Sequence, residues 1–355
     1  MIEEILSHLT FLVGADTTNP PRSITPDNRA LCHVAEVLSS AGFVVEVNDH
    51  GAGCVNLLAI RGTPDLLLNC HLDTVPPDPN WSSDPHELRV DGENAIGLGA
   101  CDVKGAASCL LAAAQATEGD AAILFTTDEE AGSGRCVRSF LETEGDRFHS
   151  IVVAEPTECT CVVSHRAVLS CEVEFTGQGG HSSLPRGSSR SALHDLVHWA
   201  NSALSDPALA PHRLNIGRVS GGEKANMVAS LATACFGARP EPGVDLLHVL
   251  ETIRHHAPSE SGASWKIHFL GESLTKTPNT DALVARLGMP ESGEVDFWTE
   301  AALFSSHGLA SVVFGPGEIS QAHSADESVP IDQLARAASC YAALISEVDE
   351  PLLVP

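Results

Sequence analysis

Two histidines and a set of carboxylates stand where apolar stretches of the chain end. His71-Leu-Asp73 closes the run Leu66-Leu-Leu-Asn-Cys70, and Asp128-Glu-Glu130 follows Ala122-Ile-Leu-Phe-Thr-Thr127. Glu155 follows Ser150-Ile-Val-Val-Ala154 and precedes Pro156. Asp102 lies in the glycine-flanked Gly97-Leu-Gly-Ala-Cys-Asp-Val-Lys-Gly105, and His323 follows the loop Gly315-Pro-Gly317. Taken singly, each has a plain explanation: a strand-end histidine beside a turn aspartate, a helix N-cap for Asp102, a solvated charge cluster for Asp128 to Glu130, a turn carboxylate for Glu155, a surface loop histidine for His323. Together they make a site. His71, Asp102, Glu130, Glu155 and His323 are donors that suit a pair of divalent ions, zinc first and cobalt as the alternative. Three carboxylates against two such ions leave one positive charge, which a bridging hydroxide would neutralise. A paired-metal site of this kind activates water and polarises a carbonyl. Glu129, beside Glu130 but pointing elsewhere, is free to act as a general base. At period 2 the side chains of His71 and Asp73 share one side of the chain, so Asp73 is placed to take the second ring N–H of a metal-bound His71.

The elements that must carry these residues are legible in the pattern. Residues 54–60 and 66–72 are short apolar runs split by Arg61-Gly-Thr-Pro-Asp65, a strand, a turn and a strand. Residues 103–117 read as an Ala- and Leu-rich helix, 121–127 and 150–154 as strands, with a helix near 133–143 between them. Fully apolar strands alternating with helices indicate a sheet covered on both faces, and such sheets take ligands beyond the carboxyl ends of their strands. From about 168 the texture changes: Leu169, Cys171, Val173 and Phe175 alternate with Ser170, Glu172 and Glu174, as in a sheet with one wet face. A helix over 189–204, strands near 212–219 and 228–236, a helix near 244–256 and a strand over 264–270 complete the β-α-β-β-α-β order of a split βαβ sandwich. Helices over 280–287 and 300–307, a strand over 310–314 and a helix near 331–347 then return to the first texture. The expected fold is α/β, with a catalytic domain built on a mixed sheet in 1–166 and 275–355. An inserted α+β domain occupies 167–274.

Composition agrees with two domains and removes several function classes. A chain of 355 residues exceeds one compact core. Its 43% hydrophobic and 19% charged residues are those of a globular protein. A net charge of −27 counts against nucleic acid and anionic membrane surfaces, which need cationic patches. The most apolar stretch, Ala106 to Ala116, is shorter than the roughly 20 residues that span a bilayer. Met1-Ile-Glu-Glu4 has acids where a signal peptide carries bases. Eleven cysteines, an odd number without a CxxC pair, point to reduced, buried thiols and a cytoplasmic protein. No GxSxG elbow marks a serine hydrolase, and no HExxH marks a zincin.

The motifs also resemble a known family. His71-Leu-Asp-Thr-Val-Pro76, Gly99-Ala-Cys-Asp-Val-Lys-Gly105, Thr127-Asp-Glu-Glu130, Ala154-Glu-Pro156 and Gly177-Gln-Gly-Gly-His-Ser-Ser-Leu-Pro185 resemble, in that order, the motifs of the M20 metallopeptidases. Gly97-Leu-Gly99, Val295-Asp-Phe-Trp-Thr-Glu-Ala301 and Gly315-Pro-Gly-Glu-Ile-Ser-Gln-Ala-His323 are similar to the acetylornithine deacetylase branch, and Phe297-Trp298 to its N-acetylcitrulline deacetylase variant. The resemblance implies a zinc-peptidase-like catalytic domain and an inserted lid through which two copies form a homodimer. It implies that His71 and Glu155 hold one metal, Glu130 and His323 the other, and that Asp102 bridges them. Glu129 would be the acid/base and Asp73 the partner of His71. His181 would reach the substrate carbonyl, from its own or the partner subunit, while Asn226 and Arg239 would bind substrate from the lid. The implied reaction removes the acetyl group of N2-acetyl-L-ornithine in arginine biosynthesis, with N-acetyl-L-citrulline as the alternative substrate. Succinyl-diaminopimelate desuccinylation, dipeptide hydrolysis and a non-catalytic binding homologue are the further alternatives; Glu129, which a pure binder does not need, counts against the last. Leu98 and Val103 stand where the family often has Arg and Met, which weakens transfer of specificity from other branches.

Overall fold

The computed structural model describes every residue except Arg22, Leu184, Arg186, Gly187, Ser188 and 347–355. It divides into two compact units: Met1–Ser164 with Lys276–Glu294 and Thr299–Pro355, and His165–Thr275 with Val295–Trp298. The sequence boundary at 274/275 leaves out the four-residue return Val295–Trp298. These residues join the second unit because Trp298 donates its indole N–H to the Glu272 carbonyl at 2.9 Å, while Asp296 pairs with Arg166 at 3.1 Å and Arg213 at 2.8 Å.

The first unit is built on a mixed six-stranded sheet in the order Val44–Asp49, Val55–Arg61, Ala121–Thr126, Leu66–His71, Ser150–Val153, Ala310–Val313. The first three are joined antiparallel and the last four parallel. The strand, turn and strand around Gly62 are therefore not a hairpin: Ala121–Thr126 lies between their two arms. Leu66–His71 and Ala121–Thr126 are buried along their whole length, as their unbroken apolar sequences require. Because four strands run parallel, their carboxyl ends share one edge of the sheet. The register pairs His71 with Thr126 and Asn69 with Val153. The residues just beyond those ends are Asp73, Glu129, Glu130 and Glu155.

The helix Lys104–Ala116 is buried on every side through Ala114. It packs against Ile2–Val13, Arg29–Ser40, Ile331–Ser346 and the strand Leu66–His71. A helix apolar all round belongs inside a protein, and its alanines let the neighbouring helices come close. Ala301–Ser306 packs on the strands Ser150–Val153 and Ala310–Val313 and touches Arg135–Glu144. A small sheet of Ser328–Pro330, Asn94–Ile96 and Arg89–Asp91 joins the chain after His323 to the chain before Asp102.

The second unit is an antiparallel four-stranded sheet in the order Asn215–Gly221, Leu231–Ala238, Val168–Thr176, Gly262–Gly271. Helices Ala192–Leu204 and Leu246–His255 cover the face that carries Leu169, Cys171, Val173 and Phe175. Trp199 centres that core, 5.9 Å from Phe175, 5.2 Å from Phe236 and 5.8 Å from Trp265 between ring centroids, with its N–H donated to the Ile253 carbonyl. Among the described residues no helix is long and apolar enough to cross a membrane. All eleven cysteines are free thiols.

Candidate metal centre

The strand Leu66–His71 delivers His71 to the carboxyl edge of the sheet, where the ring is 2% exposed. Its Nδ1 lies 3.0 Å from the Asp73 backbone carbonyl. A carbonyl only accepts, so Nδ1 carries the hydrogen and Nε2 of the neutral ring has a free lone pair. That Nε2 faces Asp102 Oδ1 at 3.1 Å and Glu155 Oε1 at 3.7 Å. On the other side, His323 Nε2 faces Glu130 Oε1 at 2.8 Å and Asp102 Oδ2 at 3.4 Å. Two groups result, His71–Asp102–Glu155 and Asp102–Glu130–His323, each with its ligand atoms within 4.8 Å of one another. Asp102 belongs to both, one carboxylate oxygen turned to each histidine.

The electrostatics show what such a cluster lacks. Burial drives the Glu155 and Glu129 carboxyls well above their ordinary range, and burial also raises Glu130 although His323 pulls it back. Burial would push Asp102 up too, but hydrogen bonds from His323 and His71 hold it below the usual carboxylate range. Burial alone would lower His71, yet its bonds to Asp102 and Asp73 raise it well above 6.5. His323 is pushed up to about 10 by Asp102 and Glu130. The cluster thus holds on to protons because it holds an excess of buried negative charge. Imidazole and carboxylate donors at these distances, retaining protons for want of cations, fit divalent ions that would take those protons' place.

Several side chains take different parts from those their sequence context suggested. The N-cap position of Lys104–Ala116 is Val103 and carries no side-chain cap, so Asp102 does not cap that helix. Asp128 is neither solvated nor a ligand: buried, it accepts from the Arg135 and Cys136 N–H groups and the Ser133 hydroxyl, closing the turn before Arg135–Glu144. Asp73 Oδ2 accepts the Glu130 N–H at 3.0 Å, while Oδ1 lies 3.5 Å from His71 Nδ1, farther than Asp73's own carbonyl. Asp73 therefore ties the acidic turn to His71 as well as facing its ring. His323 has φ 59°, a left-handed conformation seldom adopted by a non-glycine residue, in a side chain 52% exposed.

His181, Asn226 and Arg239 belong to the second unit. His181 is exposed on a two-residue strand paired with Met227–Val228, its Nδ1 2.7 Å from the Ser183 hydroxyl. The Asn226 carbonyl accepts the Ser182 N–H at 3.0 Å, so these two stand side by side. Arg239 follows the strand Leu231–Ala238 at its far end, roughly 25 Å along at the usual rise per residue. It borders a cleft of about 320 Å³ shared with Arg213, and the structure does not bring it to His181.

Two buried acids had no part in the sequence reading. Glu327 accepts three backbone N–H groups of the Asp102 loop. Glu300, 1% exposed, accepts the Thr126 hydroxyl at 2.9 Å on Oε2; its Oε1 is buried with no hydrogen-bond partner among the described residues. Burial, with Asp128 nearby, pushes Glu300 up to about 8. No local pattern singles either of them out, because their partners lie far away in sequence.

Residues 67–259 match the sequence model of peptidase family M20/M25/M40. The chain is 44% identical to the N-acetyl-L-citrulline deacetylase of Xanthomonas campestris pv. campestris, over 95% of this chain and 96% of that one. It is 31% identical to the acetylornithine deacetylase of Myxococcus xanthus, over 96% and 95%. In fold it is similar to aminopeptidase PepT of Bacillus cereus, with a TM-score of 0.78, 17% identity and 99% of both chains covered. The YXEP protein of Bacillus subtilis, a dinuclear metal binding peptidase, gives 0.72 at 15% identity, again over 99% of both.

Proposed function

The chain belongs to peptidase family M20/M25/M40, and from that premise we propose that it is a two-metal deacetylase of N-acetyl amino acids, with N-acetyl-L-citrulline as its substrate. The observation that carries the chemistry is the pair of ligand groups sharing Asp102, with Glu129 in the same buried patch of negative charge. His71 and Glu155 would hold one ion, Glu130 and His323 the other, and Asp102 both; zinc is the ion we favour, cobalt the alternative. When bound, the ions supply an activated water and a polarised acyl carbonyl.

The remaining work falls to side chains. Glu129, raised by burial and neighbouring acids while the site lacks cations, would be ionised once they offset that charge, and its carboxylate would take the proton of the attacking water as the water oxygen joins the acetyl carbon. The same carboxyl then passes the proton to the α-nitrogen as the C–N bond breaks, releasing acetate and the amino acid. Asp73 keeps the His71 ring and the Glu129–Glu130 turn in place. His181 would donate to the carbonyl oxygen as it gains charge, from its own chain or from a partner in a homodimer. Asn226 would contact the substrate beside it, and Arg239, which its own chain holds away from His181, would pair with the α-carboxylate of a substrate whose carbonyl is met by the His181 of the other subunit.

The resemblance of the chain's motifs to the acetylornithine deacetylase branch put N2-acetyl-L-ornithine first. The 44% identity to a citrulline deacetylase, against 31% to an ornithine enzyme, together with Phe297-Trp298, shifts the preference to citrulline. Either substrate belongs to arginine biosynthesis, and a cytoplasmic location fits both. The test is amine release by zinc- or cobalt-loaded protein offered the two substrates side by side. A higher kcat/KM for N-acetyl-L-citrulline is expected; a higher value for the ornithine compound would reverse the assignment.

A further inference from the structure

The two loops that bring Asp102 and His323 together are fastened by one carboxylate. Glu327 lies four residues after His323 and is 2% exposed. Its Oε2 accepts the Gly99 N–H at 2.8 Å, and its Oε1 accepts the N–H groups of Cys101 at 2.9 Å and of Asp102 itself at 2.8 Å. Its backbone carbonyl accepts the Gly97 N–H at 3.0 Å, and the next residue, Ser328, pairs with Ile96. The Asp102 loop is thus wrapped around the side chain of a residue from the His323 loop. The wrap depends on Gly99, whose φ is +79° and where an added Cβ would stand 2.9 Å from the Lys104 and Thr74 side chains.

A carboxylate is a costly choice for this place. It is buried close to Asp102, another carboxylate, and burying like charges together is unfavourable unless donors compensate. A cradle of backbone N–H groups supplies that compensation. What the arrangement gains is position. Asp102 lacks the helix-cap role that would anchor it, and His323 is half exposed on a left-handed backbone, so neither ligand fixes itself. Glu327 holds the backbone N–H of one and sits on the loop of the other.

We propose that Glu327 is a positioning residue that sets Asp102 against His323 and thereby the affinity of the Asp102–Glu130–His323 group for its divalent ion; the proposal rests on reading those residues as metal ligands. The experiment is calorimetric titration of metal-free wild-type and Glu327→Gln protein with Co²⁺, with the visible cobalt spectrum recorded at each step. Glutamine keeps the volume but sets an N–H₂ group against an N–H donor. Wild type is expected to take two ions, and the variant to bind one of them about 10–100-fold more weakly with an altered spectrum, as for other residues that orient ligands. Glu327→Asp, which keeps the charge but is one methylene shorter, is expected to weaken the same ion and serves if the glutamine variant does not fold. Two ions bound at wild-type affinity with an unchanged spectrum would overturn the proposal, even if the variant melted earlier, because Glu327 would then be only a loop fastener. Fewer than two ions in wild type would instead overturn the ligand reading beneath it.

Discussion

Replacing Glu300 by Gln isolates the cost of one buried acid. The side chain is 1% exposed, bonded to Thr126 through Oε2 and without a partner at Oε1 among the described residues. Burial, with the charge of Asp128, raises it from an ordinary 4.5 to about 8. A change of that size is worth about 5 kcal/mol between the ionised and neutral forms, as an order of magnitude. Below pH 4.5 the acid is protonated in both folded and unfolded chains and contributes no slope. Between 4.5 and about 8 the unfolded chain has lost the proton that the folded chain keeps, so stability falls as pH rises. Above 8 the folded chain must hold the charge, and the full penalty applies. The amide of the variant has no such charge to bury, while its carbonyl still accepts from Thr126. Urea unfolding of chelator-treated wild type and variant at pH 5 and pH 8.5 should therefore show a difference that moves by several kcal/mol in favour of the variant at the higher pH. All other titrating groups are shared, so the change in the difference belongs to Glu300. A wild-type-minus-variant gap that is the same at both pH values would refute the reasoning.

Three shorter predictions follow from the site and the core. Glu129→Gln should keep both metal ions, by elemental analysis, while amine release falls by about 10²–10⁴, the usual contribution of a positioned general base; full turnover would remove Glu129 from the reaction. His181→Ala should lower kcat by about 10²–10³ at unchanged metal content. If His181 serves the partner subunit, mixing that variant with Glu129→Gln protein should regenerate activity that neither has alone, and absence of recovery after verified subunit exchange would assign it to its own chain. Of the eleven thiols, Cys32 is exposed and Cys235 half-buried, whereas burial raises the buried Cys70, Cys101, Cys136, Cys159, Cys161 and Cys171. An aromatic disulfide reagent should label at most two per folded chain, the rest reacting only on denaturation.

The strands were legible because burial leaves a direct trace in composition. Leu66–Cys70 and Ala121–Phe125 are covered on both faces and read as unbroken apolar runs, whereas Leu169, Cys171, Val173 and Phe175 mark a sheet covered on one. The ligand candidates were legible for a related reason: an acid or histidine directly after such a run has to emerge at the edge of the sheet. The helices Ile2–Val13 and Arg29–Ser40 went unread although Ile5, Leu9, Leu12 and Val34, Val37, Leu38 carry the spacing of a buried helical face. Partners that are backbone atoms far along the chain leave no trace in any local pattern. That is why nothing in its own surroundings singles out Glu327, whose three donors lie more than 200 residues earlier. It is also why Asp128 looked like one of three equivalent acids, when the turn at Ser133–Arg135 makes it the structural one. The return of Val295–Trp298 to the second unit depends on Glu272 and Arg213, which no spacing rule connects to it.

The buried helix Lys104–Ala116 sets a limit on how this chain can change over generations. Ala106, Ala107, Ala112, Ala113 and Ala114 each face neighbours with no exposure to solvent, so a larger residue at any of them has nowhere to go but against another helix. One added branch there costs about 1–3 kcal/mol in overpacking. The first turn of that helix begins two residues after Asp102, so part of any such displacement would be delivered to the shared ligand. Substitutions should accumulate instead on the outer faces of Ile2–Val13 and Ile331–Ser346, where polar positions such as Glu3, Glu4, Asp332 and Ser339 meet water. In a set of diverged relatives, the volume of these alanine positions should vary less than their chemistry allows, and less than the volume of the surrounding core.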